Sequence, residues 1–195
     1  MAYHMTPERK QELTAAIRKY VFECRRKVLE SVRSHEQLLC YDIAEPAPEP
    51  RTEEVRYSLK ASVADPSAAD DIHELVERAE QEETFSQALL SMIRERRLTE
   101  PEVYNAVFMD RRLFNKIRNT PEYQPNLRTA LMLAIALRLN LEETREFIGK
   151  AGFTLSPWRK FDVIVEYFIV NENYDIFEIN EMLAAFDLPP LLRCE

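Results

Sequence analysis

Glycine is scarce in this chain, with 2 glycines in 195 residues against 11 prolines. Tight turns, β-bulges and phosphate-binding loops usually need glycine, because glycine enters the left-handed backbone region without a steric penalty. Its scarcity disfavours most β and α/β architectures and favours an all-α protein. It also leaves no glycine-rich loop of the kind that binds nucleotide phosphates.

The chain also has few metal ligands and no long apolar run. Its 3 cysteines match no metal-binding or redox spacing, and its 3 histidines have no ligand-spaced neighbours. The longest strongly apolar run, residues 130–137, is far shorter than a bilayer span. The N-terminus lacks a signal-peptide pattern. We therefore expect a cytoplasmic protein that binds no metal, no cofactor and no membrane.

No combination of Ser, His and acidic residues can be nominated as a catalytic group, so we expect no enzymatic activity. The net charge of −8 disfavours nonspecific binding to nucleic acid as the main activity. Charge is unevenly distributed, however. Residues 84–155 carry 11 Lys and Arg against 8 Asp and Glu, a net of +3, whereas the nets before and after this stretch are −6 and −5.

Apolar periodicity divides the chain into three parts. Residues 1–41 predict a long amphipathic helix opened by Thr6 and Pro7, which packs on its own domain or, alternatively, binds a partner. Residues 42–70 are rich in proline and acidic residues and predict a linker. Residues 71–195 predict a helical domain, with its core at residues 84–155 and a C-terminal helical extension at residues 156–195.

The helix boundaries in this domain have local signals. Thr99 with Glu102 and Asn140 with Glu143 have capping-box spacing, and Asp110 can cap the helix that follows it.

The interior and the C-terminal extension have signals of their own. Residues 127–139 are apolar nearly all round, which predicts a buried central helix. Two helices are predicted in the extension, one beginning at Ser156-Pro157 and one capped by Asp175.

One pattern runs from residue 98 to residue 143 and combines two short helices, a turn, a polar-Pro loop and a further helix. It is carried by Leu98-Thr99-Glu100, Met109-Asp110-Arg111, Phe114, Ile117, Gln124-Pro125-Asn126-Leu127, Leu131, Leu133, Ala134, Leu137 and Leu141. The pattern resembles the five-helix DNA-binding domain of lambda-repressor-like (XRE-type) regulators. The resemblance implies an XRE-like helix-turn-helix core, here joined to two extra C-terminal helices and a long N-terminal helix.

Two positions depart from the family pattern. Tyr104 stands where the first motif helix usually has a small residue, and Phe108 stands where the turn usually has glycine. Bulky residues at these positions are expected to change how the two motif helices meet.

A second resemblance covers residues 55–192. It is carried by Thr84-Phe85-Ser86, Glu102-Val103-Tyr104, Asp110-Arg111-Arg112-Leu113-Phe114, Lys116-Ile117-Arg118 and Tyr174-Asp175-Ile176-Phe177-Glu178-Ile179-Asn180. This stretch resembles a little-characterised bacterial domain that occurs alone or C-terminal to macro domains. The resemblance implies a regulatory or adaptor module in a signalling or stress/defence system. No macro domain is present, so ADP-ribose chemistry is not carried over.

The candidate contact surface lies on the helix after Asp110 and consists of Arg111, Arg112, Asn115, Lys116 and Arg118. If the helix-turn-helix binds DNA, these side chains contact phosphates and bases; otherwise they contact a protein or form a solvated helix face. We expect a non-catalytic module that binds a protein partner, and the alternative is a DNA-binding regulator. Tyr123, Trp158 and Tyr174 are candidate anchors for a partner, and a homodimer through the N-terminal helix is a further option.

Overall fold

A computed structural model describes residues 5–39 and 83–192, with side chains described up to residue 33 in the first range. These residues form eight α-helices and no strand, which confirms the predicted all-α class. The helices are α1 (Pro7–Leu39), α2 (Phe85–Glu95), α3 (Glu100–Ala106), α4 (Arg111–Asn119), α5 (Leu127–Ala136), α6 (Leu141–Gly149), α7 (Lys160–Val170) and α8 (Ile176–Ala185). The linker predicted at 42–70 and the predicted domain start at residue 71 lie outside the described residues.

The first part of α1 belongs to the same compact unit as the other seven helices described. That unit includes the described residues 5–29 and 83–192, and a second unit spans 30–82, of which only the end of α1 is described. Leu13 and Ile17 of α1 are buried, and the Tyr20 hydroxyl donates a hydrogen bond to Glu166 on α7 at 3.0 Å. This part of α1 therefore packs on its own domain, as one of the two interpretations of the sequence expected.

The predicted helix starts are confirmed at three positions. Thr99 and Asn140 form complete capping boxes, and the Asp110 carboxylate accepts from the Arg112 N–H. Each cap satisfies an N–H group that has no partner within its helix, which is worth about 1 kcal/mol. Asp175 likewise caps α8.

One helix start was predicted too early. The helix after residue 155 begins at Lys160 rather than at Ser156-Pro157. The Asp162 side chain is fully buried, accepts from the Ser156 N–H at 2.9 Å and pairs with Arg159 at 2.9 Å. These two bonds hold residues 156–159 in a turn and delay the helix.

Most of the helix connections use a left-handed residue that is not glycine. Four connections contain such a residue, namely Arg97, Phe108, Arg138 or Glu172, and Asp187 follows the last helix; all five have φ between 50° and 56°. In the connection after α2, the Leu98 N–H reaches back to the Ile93 carbonyl at 3.0 Å, which is the Schellman arrangement for ending a helix. In the connections after α2, α3 and α5, a left-handed residue, an apolar residue and the N-cap of the next helix follow in order, so that short links join these helices without glycine.

The centre of the core is α5. Six of its ten residues are buried, and it packs against α3 and α6. The Phe85 and Phe147 rings of α2 and α6 also pack together, with their centroids 4.5 Å apart. The burial of α5 confirms the predicted central helix, which ends at Ala136 rather than at residue 139.

Candidate functional site

The turn between α3 and α4 places the candidate surface. The Met109 N–H donates to the Tyr104 carbonyl at 2.8 Å, and the Met109 side chain is buried. Phe108, which stands where the resemblance expected glycine, has a φ of +50°. Phe108 therefore occupies a left-handed position, and its side chain projects with 64% of its surface exposed.

The buried side of α4 consists of Phe114 and Ile117, both without solvent exposure. The Tyr104 ring packs on the Phe114 ring with centroids 5.5 Å apart, which is how the bulky residue of α3 is accommodated. These contacts fix α4 along one side and leave its opposite side facing solvent.

All five predicted contact residues lie on α4, but their surroundings differ. Arg111 and Arg112 are exposed and form no ion pair with any described side chain, whereas Asn115 is half-buried. The Arg118 guanidinium is held by Glu100 of α3, with a nitrogen–oxygen distance of 2.9 Å. The Lys116 ammonium lies 5.1 Å from the centroid of the Tyr123 ring. The positive charge that is free for a ligand is thus concentrated at the N-terminal end of α4.

A groove lies beside that end of α4 and has a volume of about 890 Å³. Its apolar lining comes from the turn, from α4 and α5, from the first turn of α7 and from the residues after α8. The main apolar side chains in the lining are Phe108, Met109, Leu113, Leu127, Met132, Phe161 and Leu192. Arg128 and Arg159 also line the groove, and Arg159 is already paired with the buried Asp162.

Phe108 is part of an aromatic pair at the surface. Its ring lies 5.2 Å from the ring of Phe177 on α8, which is itself 39% exposed. Phe108 was expected as a departure at the turn but not as a contact residue. The available signal was its position, because a bulky residue where glycine is expected takes on backbone strain that glycine avoids.

The three aromatic residues nominated from sequence have different surroundings. Trp158 is 52% exposed and lies under the Arg25 guanidinium, 6.0 Å from the ring centroid. The Tyr174 hydroxyl donates to the Leu139 carbonyl at 3.1 Å, and burial raises the pKa of Tyr174 above its usual value. Tyr123 is half-buried near Lys116. Of the three, Trp158 has the most surface available to a partner.

The helix before the turn has its own electrostatic feature. The backbone N–H and the hydroxyl of Thr99 both donate to the Glu102 carboxylate. These bonds lower the pKa of Glu102, and the backbone bond has the larger effect.

Among residues 5–39 and 83–192 there is no group of three His, Cys, Asp or Glu side chains arranged to hold a metal ion. None of the helices in those two ranges combines the length and the apolar character needed to cross a membrane.

Comparison of the chain with family models, with curated proteins and with solved structures finds no match. Both resemblances drawn from the sequence stay predictions that rest on the residues quoted for them.

Proposed function

We propose that this protein is a non-catalytic regulatory or adaptor module that binds a protein partner in the groove beside α4. The observation that carries the proposal is the exposed Phe108 ring, which is held in a left-handed turn at the edge of an apolar groove. Of the five left-handed residues other than glycine in the described ranges, Phe108 is the one apolar side chain, whereas the other four are charged residues that end helices in the same way. A side chain retained there, with most of its surface in water, is well placed to anchor a partner.

The charges around the groove favour an acidic partner segment. Arg128 lines the groove, and Arg111 and Arg112 are exposed on the first turn of α4, directly after the groove residue Asp110. The carboxylate of Asp110 is engaged as the cap of α4. An extended or helical segment with aromatic or aliphatic side chains and flanking carboxylates would satisfy both the apolar lining and the arginines.

DNA binding is the second candidate, and a specific observation favours it. Arg111, Arg112 and Asn115 lie on a helix that follows a helix and a turn, in the part of the chain with a net charge of +3. Two features weigh against it. First, Lys116 and Arg118 already have partners within the domain. Second, helix-turn-helix proteins contact bases with the N-terminal end of this helix, and here groove residues such as Leu192 lie beside that end.

Site-specific photocrosslinking in the producing cell tests the proposal. A photoreactive phenylalanine analogue at position 108 is expected to give a protein adduct of one discrete mass. The adduct should disappear when Arg111→Glu and Arg112→Glu are combined with it, because the acidic segment then meets like charge. The same analogue at Val170, which is 46% exposed on α7, is the matched control and should give no such adduct. Equal adducts at both positions would refute a partner specific to the groove.

A further inference from the structure

A second surface lies on the outer face of α1, which we define as Ala15, Arg18, Lys19, Phe22, Arg26 and Leu29. Phe22 is 70% exposed and Leu29 is 58% exposed. They are seven residues apart, or two helical turns, so they share one stripe along the helix. Helical spacing places this stripe on the side of α1 opposite the buried Leu13 and Ile17. The stripe is therefore not used in packing α1 on its own domain.

The charge along this part of α1 is opposite to that of the whole chain. Three basic residues, Arg18, Lys19 and Arg26, lie on the outer face, and Glu23 is the one acidic residue between Leu13 and Leu29, in a protein with a net charge of −8. Arg18 and Lys19 lie one turn before Phe22, are exposed, and form no ion pair with described side chains. The outer face thus combines two large apolar side chains with positive charge beside them.

We propose that the outer face of α1 binds an acidic amphipathic helix of a partner protein. Phe22 and Leu29 supply one of the two apolar positions of each heptad along which helices pack, and basic residues lie beside them. Basic residues that flank such a seam select a partner helix with carboxylates at its own flanking positions. The proposal goes beyond the groove, because a chain with both surfaces can bridge two proteins.

The same observations disfavour other occupants. In a dimer of two copies through this face, Arg18 and Lys19 of both copies would border one seam, and like charges there repel. A helix that lies in a membrane interface usually has a wide apolar side, whereas this face offers a stripe with two large side chains. A nucleic acid would contact the basic side chains through its phosphates and would leave Phe22 and Leu29 exposed.

A designed peptide probes the surface without knowledge of the natural partner. The probe is a fluorescent peptide of about three heptads, with Leu at the two seam positions and Glu at the flanking positions, whose like charges keep it from pairing with itself. A control peptide of the same design carries Lys in place of Glu. With the full chain at low salt, we expect anisotropy to report binding of the Glu peptide alone. We also expect binding to weaken about tenfold or more when salt is raised to about 0.5 M.

Variants of the chain identify the surface that binds the peptide. Combining Phe22→Ser with Leu29→Ser is expected to weaken binding about tenfold or more, because both seam anchors are lost. Combining Arg18→Glu with Lys19→Glu should shift the preference toward the Lys peptide. Val170→Ser, which removes an exposed apolar side chain from α7, should leave binding unchanged. Thermal melts verify that each variant is folded.

Three results would overturn the proposal. Equal binding of the Glu and Lys peptides would remove the role of charge. Retention on anionic lipid vesicles that depends on Phe22, without peptide binding, would assign the face to a membrane. A concentration-dependent dimer that Phe22→Ser abolishes would assign it to a second copy. None of these variants changes a groove residue, so failure here leaves the crosslinking result at Phe108 to be judged by itself.

Discussion

The helices α4 and α5 have similar lengths and both begin at a capping side chain, yet the domain uses them in opposite ways. Six of the ten residues of α5 are buried, against two of the nine residues of α4. Phe114 and Ile117 are sufficient to fix α4 to the core, while its other side chains face solvent or the groove. The comparison indicates that α5 holds the domain together, whereas most side chains of α4 stay accessible, as the proposed binding surface requires.

The largest expected effect comes from shortening a side chain of α5. Leu133 is fully buried, and Leu133→Ala removes apolar contacts and leaves a cavity. We expect the free energy of unfolding to fall by about 2–5 kcal/mol. Arg112→Ala on the exposed side of α4 is the matched comparison and should change it by less than about 0.5 kcal/mol. Urea unfolding of both variants measures the difference, and equal losses would contradict the division between the two helices.

A smaller loss is expected at the start of α4. Asp110→Ala removes the acceptor for the Arg112 N–H and should lower the free energy of unfolding by about 1 kcal/mol. Asp110→Asn keeps an acceptor at the same place and should retain most of the stability. The same urea titration compares the two variants. If Asn were as damaging as Ala, the carboxylate would act through its charge rather than as a cap.

Phe108→Gly separates stability from partner binding. We expect the free energy of unfolding to change by less than about 1 kcal/mol, because relief of the left-handed backbone offsets the lost contact with Phe177 and the added chain entropy. Capture of the partner should nevertheless be lost, which a photoreactive analogue at Leu113 in the groove can report. Arg138→Gly, at another left-handed position that ends α5, is the control and should retain capture. Loss of capture in both variants would implicate the backbone rather than the ring.

The smallest effect concerns the pH dependence of the cap on α3, the helix before the turn. Hydrogen bonds from Thr99 lower the pKa of Glu102 in the folded state. The stabilisation from this carboxylate is therefore present above its unfolded pKa of about 4.3 and is lost as the pH falls through the lower folded value. We expect wild type and Glu102→Gln to differ in urea midpoint at pH 7 and to converge at low pH. A difference that stays constant down to low pH would exclude ionisation as its source.

Local signals accounted for much of the fold. The caps at Thr99, Asp110 and Asn140 were predictable because each depends on residues within three positions along the chain. The buried helix after residue 126 was predictable because its apolar residues surround the helix axis. The start of α7 was predicted wrongly because it depends on Asp162, whose side chain reaches back across a turn.

The candidate site was less predictable, because it depends on residues far apart in sequence. Spacing along α4 identified all five polar side chains but not that Glu100 holds Arg118 from another helix. The groove takes Phe161 from the start of α7 and Leu192 from beyond α8, and no local pattern brings those residues to α4. Phe108 had a signal in its turn position, but its exposure became visible only in the folded arrangement.

The most direct test of the central claim is DNA binding by the pure 195-residue chain, measured by fluorescence anisotropy with random-sequence duplexes across a salt series. We predict no binding near physiological salt, and no difference between wild type and the chain that carries Arg111→Glu with Arg112→Glu. Binding that weakens steeply with salt and is lost in that double variant would contradict the assignment of α4 to a protein partner. It would identify α4 as the recognition helix of a DNA-binding regulator.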